Sequence, residues 1–164
     1  MRVLGIDPGT IVMGYGVVDS EGDVTTAVDY GALTPPQRSP IGERLNFLYA
    51  RLLKIITRYQ PQAVAVEQPF VAKNVKSALA VGRAQAVAIL AAATKKIPSY
   101  EYTPARVKQL VANYGASSKE QVQEMVRLQL GLKEIPQPND AADALAIALC
   151  HLQQMRLTEL LARQ

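Results

Sequence analysis

Two short apolar runs in this chain each end on a carboxylate, and a proline follows within two residues. The first run, RVLGID, covers residues 2–7 and ends on Asp7, and the second, AVAVE, covers residues 63–67 and ends on Glu67. Apolar runs of this length are typical of strands that a sheet buries on both faces. Because an unpaired carboxylate is costly to desolvate, Asp7 and Glu67 need a partner at the ends of their strands.

The remaining pattern predicts three strands, a helix, a strand, a helix, a strand and three helices, in that order. A turn at residues 20–23 predicts a hairpin between the second and third strands. The first helix is predicted to have Ser39 as its cap and Pro40 at its first position. A long helix is predicted from Asn74 to about Thr94, and a last amphipathic helix is opened by Pro138 and Asn139. This order predicts an α/β fold with a mixed sheet, in a single domain over residues 1–164.

The composition excludes some kinds of site and leaves the function of the chain open. The 164 residues are 49% hydrophobic and 20% charged, as in an ordinary globular domain, and the net charge of +4 permits a polyanionic partner without demonstrating one. Cys150 is the only cysteine, which excludes an internal disulfide and a cysteine-based zinc site. His151, the only histidine, lies late in a helix, which favours packing over catalysis. Neither a signal peptide nor a membrane-spanning run is predicted, so we expect a cytoplasmic protein.

Two further carboxylates open the last helix. Asp140 and Asp143 are three residues apart and share one helical face, where they either stabilise the helix dipole or join a site. If the first and fourth strands are parallel neighbours, Asp7 and Glu67 lie side by side at one sheet edge. Four carboxylates without a usable His or Cys suit Mg²⁺ or Mn²⁺. A pair of such ions can activate a water and stabilise the leaving oxygen in phosphodiester cleavage.

Five motifs follow one another along the chain: GIDPGT…GYGVV, VEQPF.AKN..SAL..G.A, VKQ, K.QVQ.MV and DAADALAIA.CH. In this order they resemble the RuvC family of bacterial Holliday-junction resolvases, and the resemblance runs from about residue 2 to 155. It implies a ribonuclease H-like fold with a mixed five-stranded sheet and helices on both faces. It also implies a homodimeric, Mg²⁺-dependent endonuclease of homologous recombination and DNA repair, which resolves four-way DNA junctions by paired symmetric nicks in strands of like polarity.

The resemblance also assigns roles to single residues. The family's catalytic and metal-binding acids fall on Asp7, Glu67, Asp140 and Asp143, which implies two Mg²⁺ ions per active site, with Mn²⁺ able to substitute. Its DNA-contacting residues fall on Phe70, Lys108 and Lys119, and Lys119 is also expected to serve catalysis. Among partners, the resemblance implies the RuvA–RuvB branch-migration helicase complex.

Several of these residues have a second interpretation. Phe70 either stacks on an unpaired base or fills the core, and Lys108 and Lys119 are either phosphate contacts or solvated surface residues. Three arginines spaced by seven on the first helix form either a phosphate-facing stripe or a solvated face. A stripe of small residues on the second long helix packs against the chain's own sheet or against a second subunit, and we expect part of it, near Ala84 and Ala88, at or next to a dimer interface.

Three other functions share part of the pattern. A ribonuclease H-like nuclease that processes RNA shares the opening motif, and an ATP-binding domain of the sugar-kinase and actin type carries a similar Asp-x-Gly-Thr turn. The second would need another such domain and a further glycine-rich loop, neither of which is present. A catalytically inactive junction-binding module would not need all four acids.

Overall fold

The computed structural model describes residues 1–68 and 74–163, and these form the predicted succession of strands and helices. The strands are β1 (Arg2–Asp7), β2 (Met13–Glu21), β3 (Val24–Leu33), β4 (Ala63–Glu67) and β5 (Ser99–Tyr102). The helices are α1 (Ile41–Tyr59), α2 (Val75–Thr94), α3 (Pro104–Ala112), α4 (Lys119–Gln129) and α5 (Asn139–Ala162).

The strands form one mixed sheet in the order β3-β2-β1-β4-β5. Strand β1 is antiparallel to β2 and parallel to β4, and β4 is parallel to β5. Ile6 pairs with Val66, so Asp7 and Glu67 follow at the same edge of the sheet. The parallel pairing that would bring these two carboxylates together is therefore confirmed.

Helices cover both faces of this sheet, as predicted. Alternate side chains of β1 and β4 point to opposite faces, so each strand contributes to two cores. Leu4 and Val64 pack in the core under α1 and α2, whereas Val3 and Ala65 pack in the core under α3, α4 and α5. Both strands are thus shielded on both sides, which explains their continuous apolar character.

Helix α5 is more deeply buried than its sequence predicted. Its first half packs between the sheet and the helices α3 and α4, and the segment from Ala144 to Leu152 is entirely buried. The prediction of an amphipathic helix is therefore wrong for this half, because a run of alanine and leucine allows close packing all round. The Nδ1 atom of buried His151 lies 2.7 Å from the Tyr102 hydroxyl, in agreement with a packing role.

Two predictions concern helix α2. By length and composition alone it could cross a membrane, but Lys76 and Arg83 interrupt its apolar run, as expected. Ala84 and Ala88 are fully buried in the core of this chain, beside β1 and β4, with no area left for a second subunit. These two alanines therefore pack within the chain, and an interface next to them stays a prediction.

The start of α1 also differs from the prediction. Pro40 is the N-cap of the helix and not its first residue, and no side chain caps the helix there. The Ser39 hydroxyl instead donates a hydrogen bond to the Pro36 carbonyl oxygen at 2.6 Å.

Candidate active site

Asp7 and Glu67 meet at the ends of β1 and β4 and share a hydrogen bond between their side chains. Burial, together with the charges of Glu67, Asp143 and Asp140, raises the pKa of Asp7 to about 8. Burial also raises the pKa of Glu67, while the hydrogen bond from Asp7 opposes that rise. Burial and the neighbouring carboxylates thus raise the pKa values of both members of this pair.

Glycines on the sheet allow the first turn of α5 to approach these strand ends. Gly14 pairs with Asp7 across β1 and β2, and a Cβ on Gly14 would lie only 1.9 Å from the Asp140 carbonyl oxygen. A Cβ on Gly5 would lie 2.0 Å from the Ala144 carbonyl oxygen. Larger residues at these positions would hold α5, and with it Asp140, away from the sheet. We did not single out these glycines in the sequence, although glycine inside a strand is a signal of close backbone approach.

Asp143 is held by a lysine from a third element. Lys119 is the first residue of α4, and its Nζ lies 3.1 Å from the Asp143 Oδ2. The start of α4 is fixed by a capping box, in which the Ser118 hydroxyl accepts from the Gln121 N–H and the Gln121 side chain accepts from the Ser118 N–H. Burial raises the pKa of Asp143, and the ion pair with Lys119 opposes that rise. Lys119 therefore faces the carboxylates and is not merely a solvated surface residue.

Lys108 reaches the same place from α3. A cavity of about 220 Å³ is lined by Glu67, Asp143, Lys108 and Lys119, with apolar side chains of α3, α4 and α5 behind them. The positive charges of Lys119 and Lys108 both oppose the rise in the pKa of Glu67. The site therefore joins carboxylates and ammonium groups in one cleft, which suits a phosphate group beside a cation.

A side-chain amide pair links α4 to the start of α5. The Gln123 Nε2 donates to the Asn139 Oδ1 at 3.3 Å, and Asn139 immediately precedes Asp140. Gln123 is one turn after Lys119 and is buried. Neither residue was predicted for the site, because an amide side chain on a helix carries no distinctive signal in sequence.

The donor set at this sheet edge fits a hard divalent cation, because it consists of carboxylate oxygens alone. Within residues 1–68 and 74–163, however, no three His, Cys, Asp or Glu side chains form a ready-made metal site. Asp143 is already paired with Lys119, so a cation held by Asp143 would compete with that ion pair.

Two of the alternatives left open by the sequence concern Phe70 and the arginines of α1. Phe70 lies outside the described residues, so its interpretation stays a prediction. The arginines of α1 each contact groups within the chain: Arg44 bonds the Thr10 carbonyl oxygen, Arg51 lies over the Phe47 ring and Arg58 over the Tyr59 ring. These contacts do not favour a stripe directed at phosphate.

Comparison with known proteins agrees with this arrangement. A profile of the family described as "Crossover junction endodeoxyribonuclease RuvC" matches residues 3–151. The chain belongs to the RuvC family. A relative of that name from Dehalococcoides mccartyi (strain ATCC BAA-2100 / JCM 16839 / KCTC 5957 / BAV1) is 56% identical over 163 residues, which are 99% of this chain and 98% of the relative. One from Chloroflexus aggregans is 59% identical over 151 residues, 92% of each chain.

A solved structure extends the similarity to three dimensions. Thermus thermophilus RuvC in complex with a Holliday junction substrate matches with a TM-score of 0.91 and 40% identity, over 96% of each chain. The fold predicted from the RuvC family resemblance, a ribonuclease H-like α/β fold, is therefore confirmed.

Proposed function

We propose that this chain is a divalent-metal-dependent endonuclease that resolves four-way DNA junctions in recombination and repair. The observation that carries the proposal is a group of carboxylates from three elements, β1, β4 and α5, which act on the pKa of Asp7 and lie beside a cleft lined by Glu67, Asp143, Lys108 and Lys119. Membership of the RuvC family and the similarity to a relative solved with a Holliday junction support the same activity.

In this proposal Asp7, Glu67, Asp140 and Asp143 hold Mg²⁺, two ions per site, with Mn²⁺ able to substitute. When bound, the ions supply the activation of water and the stabilisation of the leaving oxygen. The chain's own residues prepare that chemistry. Asp7 and Glu67 would hold the ions as carboxylates, with the proton of Asp7 lost to solvent, and Lys119, which lies 3.1 Å from Asp143, would neutralise an oxygen of the scissile phosphate.

Two further residues contact the DNA in this proposal. Lys108, which lines the same cleft from α3, contacts the phosphate backbone on the approach to the carboxylates. Phe70 follows Glu67 closely in sequence, and we propose that its ring stacks on a base opened at the centre of the junction.

A four-way junction has approximate two-fold symmetry, and we propose that a homodimer matches it with two active sites. One carboxylate cluster cuts one strand, so two like nicks in one binding event need two clusters related by a two-fold axis. The exposed face of α2 supports such a dimer, because Val75, Leu79 and Leu90 are 76%, 55% and 56% exposed there, on the opposite side from the buried Ala84 and Ala88. A stripe of apolar side chains from Val75 to Leu90 is a suitable surface for a second copy.

Two expectations follow from family membership alone. We propose that the RuvA–RuvB branch-migration complex delivers the junction to this dimer. We also propose that the protein acts in the cytoplasm, where bacterial DNA is found.

A cleavage assay with four substrates tests the proposed function. A synthetic four-way junction, a linear duplex, an RNA hairpin and ATP are each incubated with the protein, with and without Mg²⁺. We expect symmetric nicks in the junction only, and only with the metal. Cleavage of the RNA hairpin would support the RNA-processing alternative, and hydrolysis of ATP would support the kinase-like one.

The dimer is tested by Leu79→Glu, with Leu128→Glu on α4 as the control, because both leucines are 55% exposed. Light scattering should show a monomer for the first variant and a dimer for the second. If the Leu79→Glu protein is still a dimer, this face of α2 is not the interface.

A further inference from the structure

We infer that Arg44 is a positioning residue for Asp7, because its guanidinium holds the loop that continues from β1. Arg44 lies in the first turn of α1, far from the cleft in sequence, and is half-buried. The inference rests on the proposed nuclease function, since it names a residue on which that site depends.

Arg44 forms a fork of two hydrogen bonds to one carbonyl oxygen. The Arg44 Nε and Nη2 donate hydrogen bonds to the Thr10 carbonyl oxygen at 3.0 and 2.5 Å. Hydrogen bonds from a charged donor are stronger than neutral ones, and two from one planar group also fix direction. Thr10 is only 7% exposed, so the acceptor end of this contact is sheltered from water.

The loop that Arg44 contacts is short and follows Asp7 directly. It contains residues 8–12, which connect Asp7 at the end of β1 to Met13 at the start of β2. A Cβ on Gly9 would lie 2.2 Å from the Val12 carbonyl oxygen, so the loop is folded tightly on itself. A displacement of Thr10 would therefore be passed to Asp7 and to Gly14, the residue against which α5 rests.

With the Arg44 fork, the ends of β1 and β2 are contacted by helices from both faces of the sheet. Helix α5 presses on Gly14 from one face, with Asp140 at the point of contact. Helix α1 belongs to the opposite face, and Arg44 is its connection to the loop. Burial and the other carboxylates account for the raised pKa of Asp7, so Arg44 acts on the position of the loop and not on the charge of Asp7.

The test uses the variants Arg44→Gln and Arg44→Lys. The matched control is Arg51→Gln, because Arg51 follows Arg44 by seven residues on the same face of α1. Arg51 contacts the Phe47 ring and not the loop. Single-turnover cleavage of a four-way junction, junction affinity over a range of salt concentrations, and backbone ¹⁵N order parameters of the loop amides are measured for each protein.

We expect Arg44→Gln to slow cleavage by about tenfold to a hundredfold, because small misplacements of reacting groups cost this much. Junction affinity and its salt dependence should match the wild type, and the order parameters of Gly9 and Ile11 should fall from about 0.85 towards 0.6. Arg44→Lys should recover part of both losses, and Arg51→Gln should show neither.

Two results would overturn the inference. A weaker affinity with a smaller salt slope in Arg44→Gln would make Arg44 a phosphate contact. Unchanged order parameters in a folded Arg44→Gln protein would show that the fork does not hold the loop. If the wild-type protein does not cleave junctions, the proposed function fails, whereas the order parameters still decide whether Arg44 fixes the loop.

Discussion

The close contact between Gly14 and α5 allows one substitution to separate the two halves of the site. In Gly14→Ala the new Cβ would lie 1.9 Å from the Asp140 carbonyl oxygen, whereas ordinary van der Waals contact begins at 3.4 Å. Strand and helix must therefore part by about 1.5 Å. Overpacking of this kind costs about 1–3 kcal/mol, and a displacement of reacting groups by about 1 Å costs about a hundredfold in rate.

We expect Gly14→Ala to lower single-turnover cleavage by at least about a hundredfold while the protein remains folded. Junction affinity should change far less, because phosphate contacts by Lys and Arg supply most of it. Gly42→Ala is the control, since a Cβ there meets nothing within 4 Å and alanine is the better helix former. Cleavage by a folded Gly14→Ala protein at the wild-type rate would refute the argument that α5 must contact the sheet edge.

The remaining predictions concern charge at the same site. Lys119→Met should slow cleavage more than it weakens junction binding, because Lys119 faces the carboxylates. Single-turnover kinetics and a binding titration measure the two effects, and equal losses would make Lys119 a general phosphate contact. The metal-free protein should lose thermal stability as pH rises from about 4 to 8, since native Asp7 keeps its proton in that window and unfolded Asp7 does not. Asp7→Asn should flatten this decline in a melting-temperature series, and an unchanged slope would contradict the raised pKa of Asp7.

The sequence predicted the order of elements and the meeting of Asp7 with Glu67 because both depend on local pattern. Strand runs, turns and caps are read over a few residues, and parallel pairing then brings the strand ends together. The capping of α2 by Asn74 and of α4 by Ser118 was predictable for the same reason.

What the sequence did not predict depends on contacts between distant segments. A run of small residues on α2 is compatible with burial inside one chain or between two, and only the packed fold assigns Ala84 and Ala88 to the chain's own core. The approach of α5 to Gly14 and the fork of Arg44 on Thr10 join segments far apart in sequence. Neither contact leaves a periodic signal, so both required the three-dimensional structure.

The most direct test of the account replaces each acid in turn: Asp7→Asn, Glu67→Gln, Asp140→Asn and Asp143→Asn, with Asp23→Asn in the exposed hairpin turn as the control. Cleavage of a four-way junction in Mg²⁺ and junction affinity are measured on the same preparations. The account predicts that each of the four variants loses cleavage by orders of magnitude and keeps its affinity, while Asp23→Asn matches the wild type. Undiminished cleavage by any two of the four would contradict the assignment of these carboxylates as the catalytic site.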